Sequence, residues 1–195
     1  MTTFRQGLKR SSFMIVLLSG AVQHRWTLIL ALVIFVPLSA RAERLEWDYS
    51  ASPKLEMFIT NHDPLIFTQD RAPEFVLTRF IVEGSSAEEW TESLEIMNTW
   101  KKNQPRNVSG WYEKFKLQGE ETCHSDWKIL EESKKSMMFE RLSESCPPFG
   151  VQHAVYRVLY GKKNIFVLFA TRKEGMDDGT RDSWIEVLES ADIKR

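Results

Sequence analysis

The side chains best suited to chemistry in this sequence are two cysteines and three histidines. Cys123 and Cys146 are its only cysteines, and the histidines beyond the N-terminal region are His62, His124 and His153. Thiolates and imidazoles act as nucleophiles, general bases and metal ligands. These five residues are therefore the candidates for a catalytic or metal site.

The spacing of these residues gives a catalytic or metal site little support. Cys123, His124, Cys146 and His153 would supply four zinc ligands, but zinc sites usually pair ligands two to five residues apart. The chain has no CxxC, GxSxG, HExxH, Walker or GxGxxG motif. The acidic pair Asp177-Asp178 lacks the spaced carboxylates of a calcium loop. We therefore predict no catalytic residue, no metal ligand and no cofactor.

The first 42 residues have the layout of a secretory signal peptide. They contain five basic residues and no Asp or Glu, and the apolar run Trp26–Leu38 leads into the small residues before Ala42. A basic start, a short apolar core and an A-x-A-like site are the parts of such a signal. We predict cleavage between Ala42 and Glu43, which leaves residues 43–195 as the mature chain.

An uncleaved membrane anchor is the alternative. The run Trp26–Leu38 has 13 residues, whereas a helix needs about 20 to cross a bilayer. Extending it toward the N-terminus would place Arg25 in the bilayer, at a cost of roughly 2.5–3.5 kcal/mol. We therefore predict export to the periplasm or the extracellular space, with membrane contact only through a retained leader. The sequence leaves open whether Met1 or Met14 is the start.

Export decides how the cysteines are interpreted. Disulfides form and persist in oxidising compartments, and two apolar segments with a polar turn between them separate Cys123 from Cys146. A hairpin of this kind brings its ends together, as a disulfide requires. We predict a Cys123–Cys146 bridge, with free thiols and a metal site as the alternatives. Whether the Asn107 sequon is used depends on whether the host glycosylates exported proteins.

The charge of the mature chain excludes one class of partner. Residues 43–195 carry 21 basic and 27 acidic side chains, a net charge of about −6. Nucleic-acid recognition needs a dense basic patch, so we predict no nucleic-acid partner. The length suits a single domain with a sizeable core.

Short β-branched and aromatic segments bounded by turn residues predict several strands. The predicted strands are a leading hairpin of Leu55–Thr60 and Pro64–Gln69 turned at residues 61–64, then residues 74–84, both arms of the cysteine hairpin, Gln152–Tyr160 and Asn164–Thr171. The last of these is almost wholly apolar, which is typical of a central strand buried on both faces.

Three helices are predicted between and after these strands. The strongest signal covers residues 84–102, where Ser85 with Glu88, or Ser86 with Glu89, makes a capping box. Its stripe at helical spacing is Trp90, Leu94, Met97 and Lys101. A short helix follows in residues 111–121. The C-terminal helix is predicted to start at Thr180 and to bury Trp184, Val187, Leu188 and Ala191.

Hairpin-linked strands and amphipathic helices together predict one α+β domain, in which helices flank a largely antiparallel sheet. The element order resembles the PsbP/Mog1-like fold, and three stretches carry the likeness: "EGSSAEEWTESLEI", "GKKNIFVLFA" and "DSWIEVLESADI". It is also similar to exported bacterial proteins of unassigned role. The resemblance implies an antiparallel sheet sandwiched between helices and a role in binding other proteins, since known members bind a nuclear GTPase or a photosynthetic membrane complex.

Two functional hypotheses follow. The favoured one is an exported, non-catalytic binding or accessory protein, whose partner is another protein or an envelope complex. The alternative is a small hydrolase or metal-dependent enzyme with a site built from dispersed residues, foremost His62, His124 and His153. A membrane-anchored version of the same domain is a third possibility.

Overall fold

A seven-stranded antiparallel sheet organises the chain. The computed structural model describes residues 43–61, 67–84, 86, 88–143 and 150–194. Within these residues the elements are, in order, β1 (Arg44–Glu46), α1 (Pro53–Asn61), β2 (Phe67–Arg71), β3 (Phe75–Gly84), β4 (Trp90–Trp100), α2 (Val108–Thr122), β5 (Asp126–Glu132), β6 (Ser136–Leu142), β7 (His153–Tyr160), β8 (Asn164–Arg172), α3 (Asp178–Glu189) and β9 (Asp192–Lys194).

The strand order in the main sheet is β2-β3-β4-β8-β7-β6-β5, and every neighbouring pair is antiparallel. The apolar strand β8 lies at the centre, as its sequence predicts. β1 and β9 form a separate two-stranded sheet. All described residues belong to one compact unit, Ala40–Arg195, and the other unit, Met1–Ser39, lies outside the described residues.

The two faces of the sheet carry different helices. Because side chains alternate along a strand, Val155 and Leu159 of β7 join a core with α1 and α3, whereas Tyr156 and Val158 join a core with α2. We call these the α3 face and the α2 face. The chain is therefore a mixed α+β protein with an antiparallel sheet.

The predicted helix over residues 84–102 is wrong, because this segment forms β4, which pairs with β3 and β8. Leu94 and Ile96 of β4 pack in the core of the α3 face. The predicted capping motif does not start a helix. Instead, the Ser86 hydroxyl accepts hydrogen bonds from Glu88 N and Glu89 N at a bend. Cross-strand pairing along the whole segment outweighs its helical propensity.

The predicted strand over Leu55–Thr60 is also wrong. These residues belong to α1, which starts at Pro53, a residue suited to the first turn of a helix. Leu55 is fully buried in the core of the α3 face. The predicted turn at residues 61–64 falls almost entirely outside the described residues, and β2 pairs with β3.

The other predicted elements are confirmed. They are the strand β3, the hairpins β5–β6 and β7–β8, and the helices α2 and α3. Trp184, Val187, Leu188 and Ala191 are buried, as predicted. The start of α3 differs, because Asp177 is its N-cap and accepts a hydrogen bond from Thr180 N at 2.7 Å. No helix of the described part is both long and apolar enough to cross a membrane.

Candidate binding cleft

A cleft of about 330 Å³ opens between α2 and the sheet. It forms because α2 contacts β6 and β7, so the α2 face of β3 and β4 extends beyond the helix. Its aromatic lining is Trp90, Phe115, Tyr156 and Phe169, its charged lining is Arg79, Glu95 and Arg141, and its remaining lining is Gln118, Gly119, Val151 and Thr171. We call this site the α2 cleft.

The aromatic floor of the α2 cleft is set by strand register. Phe169 of β8 lies opposite Tyr156 of β7, which lies opposite Phe139 of β6. The ring centroids of Tyr156 are 5.9 Å from Phe169 and 4.9 Å from Phe139, in stacked geometry. Phe115 of α2 completes the wall, 5.0 Å from Tyr156. Aromatic rings at these separations attract one another, so these contacts stabilise the floor.

The charged lining is held by specific contacts. Arg79 and Glu95 are cross-strand partners, with Nε to Oε1 and Nη2 to Oε2 both at 3.1 Å. The Arg141 Nη2 donates to the Val151 carbonyl oxygen at 2.9 Å, and its guanidinium lies 6.0 Å from the Trp127 ring. These contacts place two guanidinium groups and one carboxylate around the aromatic floor.

Tyr156 is the central polar group of the cleft. Its side chain is 7% exposed, and its hydroxyl makes no hydrogen bond within the described part of the protein. Burial raises the pKa of Tyr156, while the charge of Arg141 lowers it and that of Glu95 raises it. The phenol therefore stays protonated at neutral pH and can act as a hydrogen-bond donor.

The position of α2 depends on a small residue. A Cβ atom at Gly119 would lie 2.6 Å from Trp127 Cζ2, which is closer than real contacts allow. Trp127 in turn packs against Tyr156, with ring centroids 6.2 Å apart. Gly119 thus lets the C-terminal half of α2 approach β5 closely, and this approach sets one wall of the cleft.

The predicted candidate histidines do not form a common site. His62 lies outside the described residues, and the His124 side chain is 99% exposed, 3.9 Å from Glu120. His153 is 3% exposed on the α3 face. Its Nε2 lies 2.7 Å from Glu140 Oε1, and its Nδ1 accepts a hydrogen bond from Met176 N at 3.2 Å. These partners place the proton on Nε2 and give His153 a structural role.

Glu140 is the centre of this structural network. Arg181 of α3 binds it with two hydrogen bonds, Nε to Oε1 at 2.6 Å and Nη2 to Oε2 at 3.0 Å. Burial alone would raise the pKa of Glu140, but the hydrogen bonds from Arg181 and His153 outweigh it and lower that pKa. The network joins β6 and β7 to the start of α3.

Cys146 lies outside the described residues, so the disulfide stays a prediction. Cys123 is buried directly after α2. The Ser125 and Ser143 hydroxyl oxygens are 2.6 Å apart at the open end of the β5–β6 hairpin. Three residues beyond Ser143 reach about 10 Å, so Cys146 can return to Cys123.

The other predicted candidate sites have structural explanations. Among the described residues, no group of three or more His, Cys, Asp or Glu side chains is placed to hold a metal ion. Asp177 of the acidic pair caps α3. Asn107 of the sequon is exposed and caps α2, accepting a hydrogen bond from Gly110 N at 2.8 Å.

Sequence reasoning missed the cleft residues. The predicted helix over residues 84–102 contains Glu95, and the predicted strands contain Tyr156 and Phe169 without marking them as site residues. The available signal was the alternation in β4, where Ser93, Glu95 and Met97 share one face. In comparisons with known proteins, no protein-family model and no curated protein matches this chain.

Proposed function

We propose that this chain is an exported, non-catalytic binding or accessory protein whose binding site is the α2 cleft. The observation that carries the proposal is the cleft itself, an aromatic concavity with a few fixed polar groups. Small-molecule sites have this composition, and their volumes start at about 300 Å³. The cleft, at about 330 Å³, falls at the lower end of that range.

The contacts of the histidines favour binding over catalysis. A general base must have a nitrogen available to the proton that it removes. Both ring nitrogens of His153 have protein partners, and the exposed His124 stands apart from this buried network. The alternative hypothesis, an enzyme built on His62, His124 and His153, therefore loses support.

Export is proposed from the leader sequence. Glu43, the residue after the predicted cleavage point, accepts hydrogen bonds from the backbone N–H groups of Lys162, Lys163 and Asn164 in the β7–β8 turn. The strand that follows, β1, pairs with β9. A mature N-terminus at Glu43 keeps all of these contacts.

We also propose a likeness to the PsbP/Mog1-like fold, which places helices on both sides of an antiparallel sheet. Helices on the α2 face and the α3 face support it. One stretch behind the likeness, residues 83–96, differs from expectation because much of it is β4. The likeness favours another protein or an envelope complex as the partner of this protein when a ligand occupies the α2 cleft. Cross-linking in the host tests this, and recovery of the chain without a partner would contradict it.

A neutral fluorescent probe tests the binding site. N-phenyl-1-naphthylamine should bind the purified protein and become brighter as it enters the apolar cleft. Gln118→Trp puts a large side chain into the cleft from an exposed position of α2 and should weaken binding at least about tenfold, or about 1.4 kcal/mol. The matched control is Leu117→Trp, the next residue of the helix, which does not line the cleft. Equal binding by the two variants would exclude the α2 cleft as the site.

A further inference from the structure

The polar groups of the α2 cleft indicate what kind of ligand it takes. We propose that the cleft selects a small organic anion with a planar apolar body, such as an aromatic carboxylate, and that Tyr156 and Arg141 receive its anionic group. The inference rests on the proposed function, because it names the ligand class of the same site.

The shape of the lining favours a planar body. Tyr156 and Phe169 stack across neighbouring strands with ring planes 27° apart, and Phe115 lies beside Tyr156 at 39°. A flat aromatic ligand can lie against these rings in the offset arrangements that aromatic pairs prefer. An aliphatic group of the same volume would lose these contacts.

The Tyr156 hydroxyl favours a ligand with an acceptor. A ligand that displaces water from a hydroxyl in a cleft leaves this donor unsatisfied unless the ligand carries an acceptor, and such a site discriminates against ligands that lack one. The Tyr156 side chain is 7% exposed and its hydroxyl has no hydrogen bond to the described residues. A ligand oxygen reaching the cleft would satisfy it.

The charges around the hydroxyl favour an anionic acceptor. The cleft is lined by two guanidinium groups, those of Arg79 and Arg141, and by one carboxylate, that of Glu95, and Glu95 pairs with Arg79 at 3.1 Å. The Lys173 ammonium lies 4.9 Å from the centroid of the ring of Trp90, which itself lines the cleft. Positive groups along a concave site raise the local concentration of anions.

Three ligands with one ring system separate charge from shape. Calorimetric titration of the purified protein with 2-naphthoate, 2-naphthamide and 2-naphthylmethylammonium should give the tightest binding for 2-naphthoate, by about tenfold over the neutral amide. Tyr156→Phe and Arg141→Gln should each weaken 2-naphthoate binding by about tenfold, since each removes one charge-assisted hydrogen bond. Arg141→Gln should also remove the preference for the anion.

Two control variants accompany these. Tyr112→Phe removes a hydroxyl from α2, and Lys128→Gln removes a cation from β5, and neither residue lines the cleft. Both should bind 2-naphthoate like the unchanged protein, and thermal unfolding checks that every variant is folded. Equal affinity for the three ligands, or unchanged 2-naphthoate binding by Tyr156→Phe, would overturn the anion inference. If Gln118→Trp still blocks 2-naphthamide in that case, the proposed function stands while the ligand class is wrong.

Discussion

At the scale of single residues, the buried carboxylates separate structural from binding roles. Glu92 and Glu140 lie on the α3 face, where their hydrogen bonds join helices to strands. Glu92 accepts a hydrogen bond from Trp184 Nε1 at 2.7 Å and one from Lys54 Nζ at 3.2 Å. Glu95, on the α2 face, lines the α2 cleft together with Tyr156. The polar groups that line the α2 cleft therefore lie on one face of the sheet, and the hydrogen bonds of Glu92 and Glu140 lie on the other.

Glu140→Gln should destabilise the protein by about 3 kcal/mol, because removing one partner of a buried ion pair leaves the other uncompensated. The pKa of Glu140 is lowered on folding. The contribution of Glu140 to the free energy of unfolding is therefore fully present above its unfolded-state pKa, near 4.5. This contribution is lost as the pH falls through the lower folded-state pKa. Chemical denaturation between pH 3 and pH 7 should show a shallower acid dependence for the variant than for the unchanged protein.

The control for this measurement is Glu46→Gln, which removes a carboxylate from the exposed pair with Arg44. Exposed pairs contribute at most about 1 kcal/mol, so this variant should keep the acid dependence of the unchanged protein. Identical acid dependence for both variants would mean that Glu140 does not carry the proposed pH effect.

At the scale of elements, β4 shows most clearly that tertiary contacts can outweigh local helix propensity. Its sequence carries a capping motif and apolar residues at helical spacing, yet it lies between β3 and β8 over its whole length. Strand pairing satisfies the backbone hydrogen-bonding groups of β4 on both sides, and its side chains pack on both faces of the sheet. Ser93 is fully buried and bonds Thr171 across the strands at 2.9 Å, a partner that local periodicity does not reveal.

The packing of α2 leads to a prediction at the same scale. Gly119→Ala should lower stability by about 1–2 kcal/mol, since overpacking against Trp127 costs about 1–3 kcal/mol and the helix propensity of alanine returns less than about 1 kcal/mol. Gly175→Ala is the control, because a Cβ there meets no atom within 4 Å. Thermal unfolding compares the two, and a higher midpoint for Gly119→Ala would show that helix propensity dominates.

At the scale of the whole molecule, the predicted leader and disulfide give one measurable quantity. Protein isolated from its host should have the mass of residues 43–195 less two mass units, corresponding to cleavage after Ala42 and one Cys123–Cys146 bridge. Reduction should then lower stability by something like 3 kcal/mol in the loop-entropy model. A mass that retains the leader would contradict the export prediction, and two thiols open to alkylation after denaturation would contradict the bridge.

The elements with local signals can be predicted from the sequence. The polar turns of the β5–β6 and β7–β8 hairpins, the apolar run of β8 and the inner face of α3 all involve residues close together in the chain, so neighbouring side chains specify them. These elements are enough to predict a mixed α+β protein with an antiparallel sheet.

In contrast, β4, α1 and the α2 cleft become evident only in the folded structure. The hydrogen bonds of β4 go to strands distant in sequence, and a local pattern carries no information about them. The cleft likewise depends on the register that places Glu95 opposite Phe169, and Phe169 opposite Tyr156. Such sites arise from long-range pairing, because residues far apart along the chain become neighbours only after the sheet has formed.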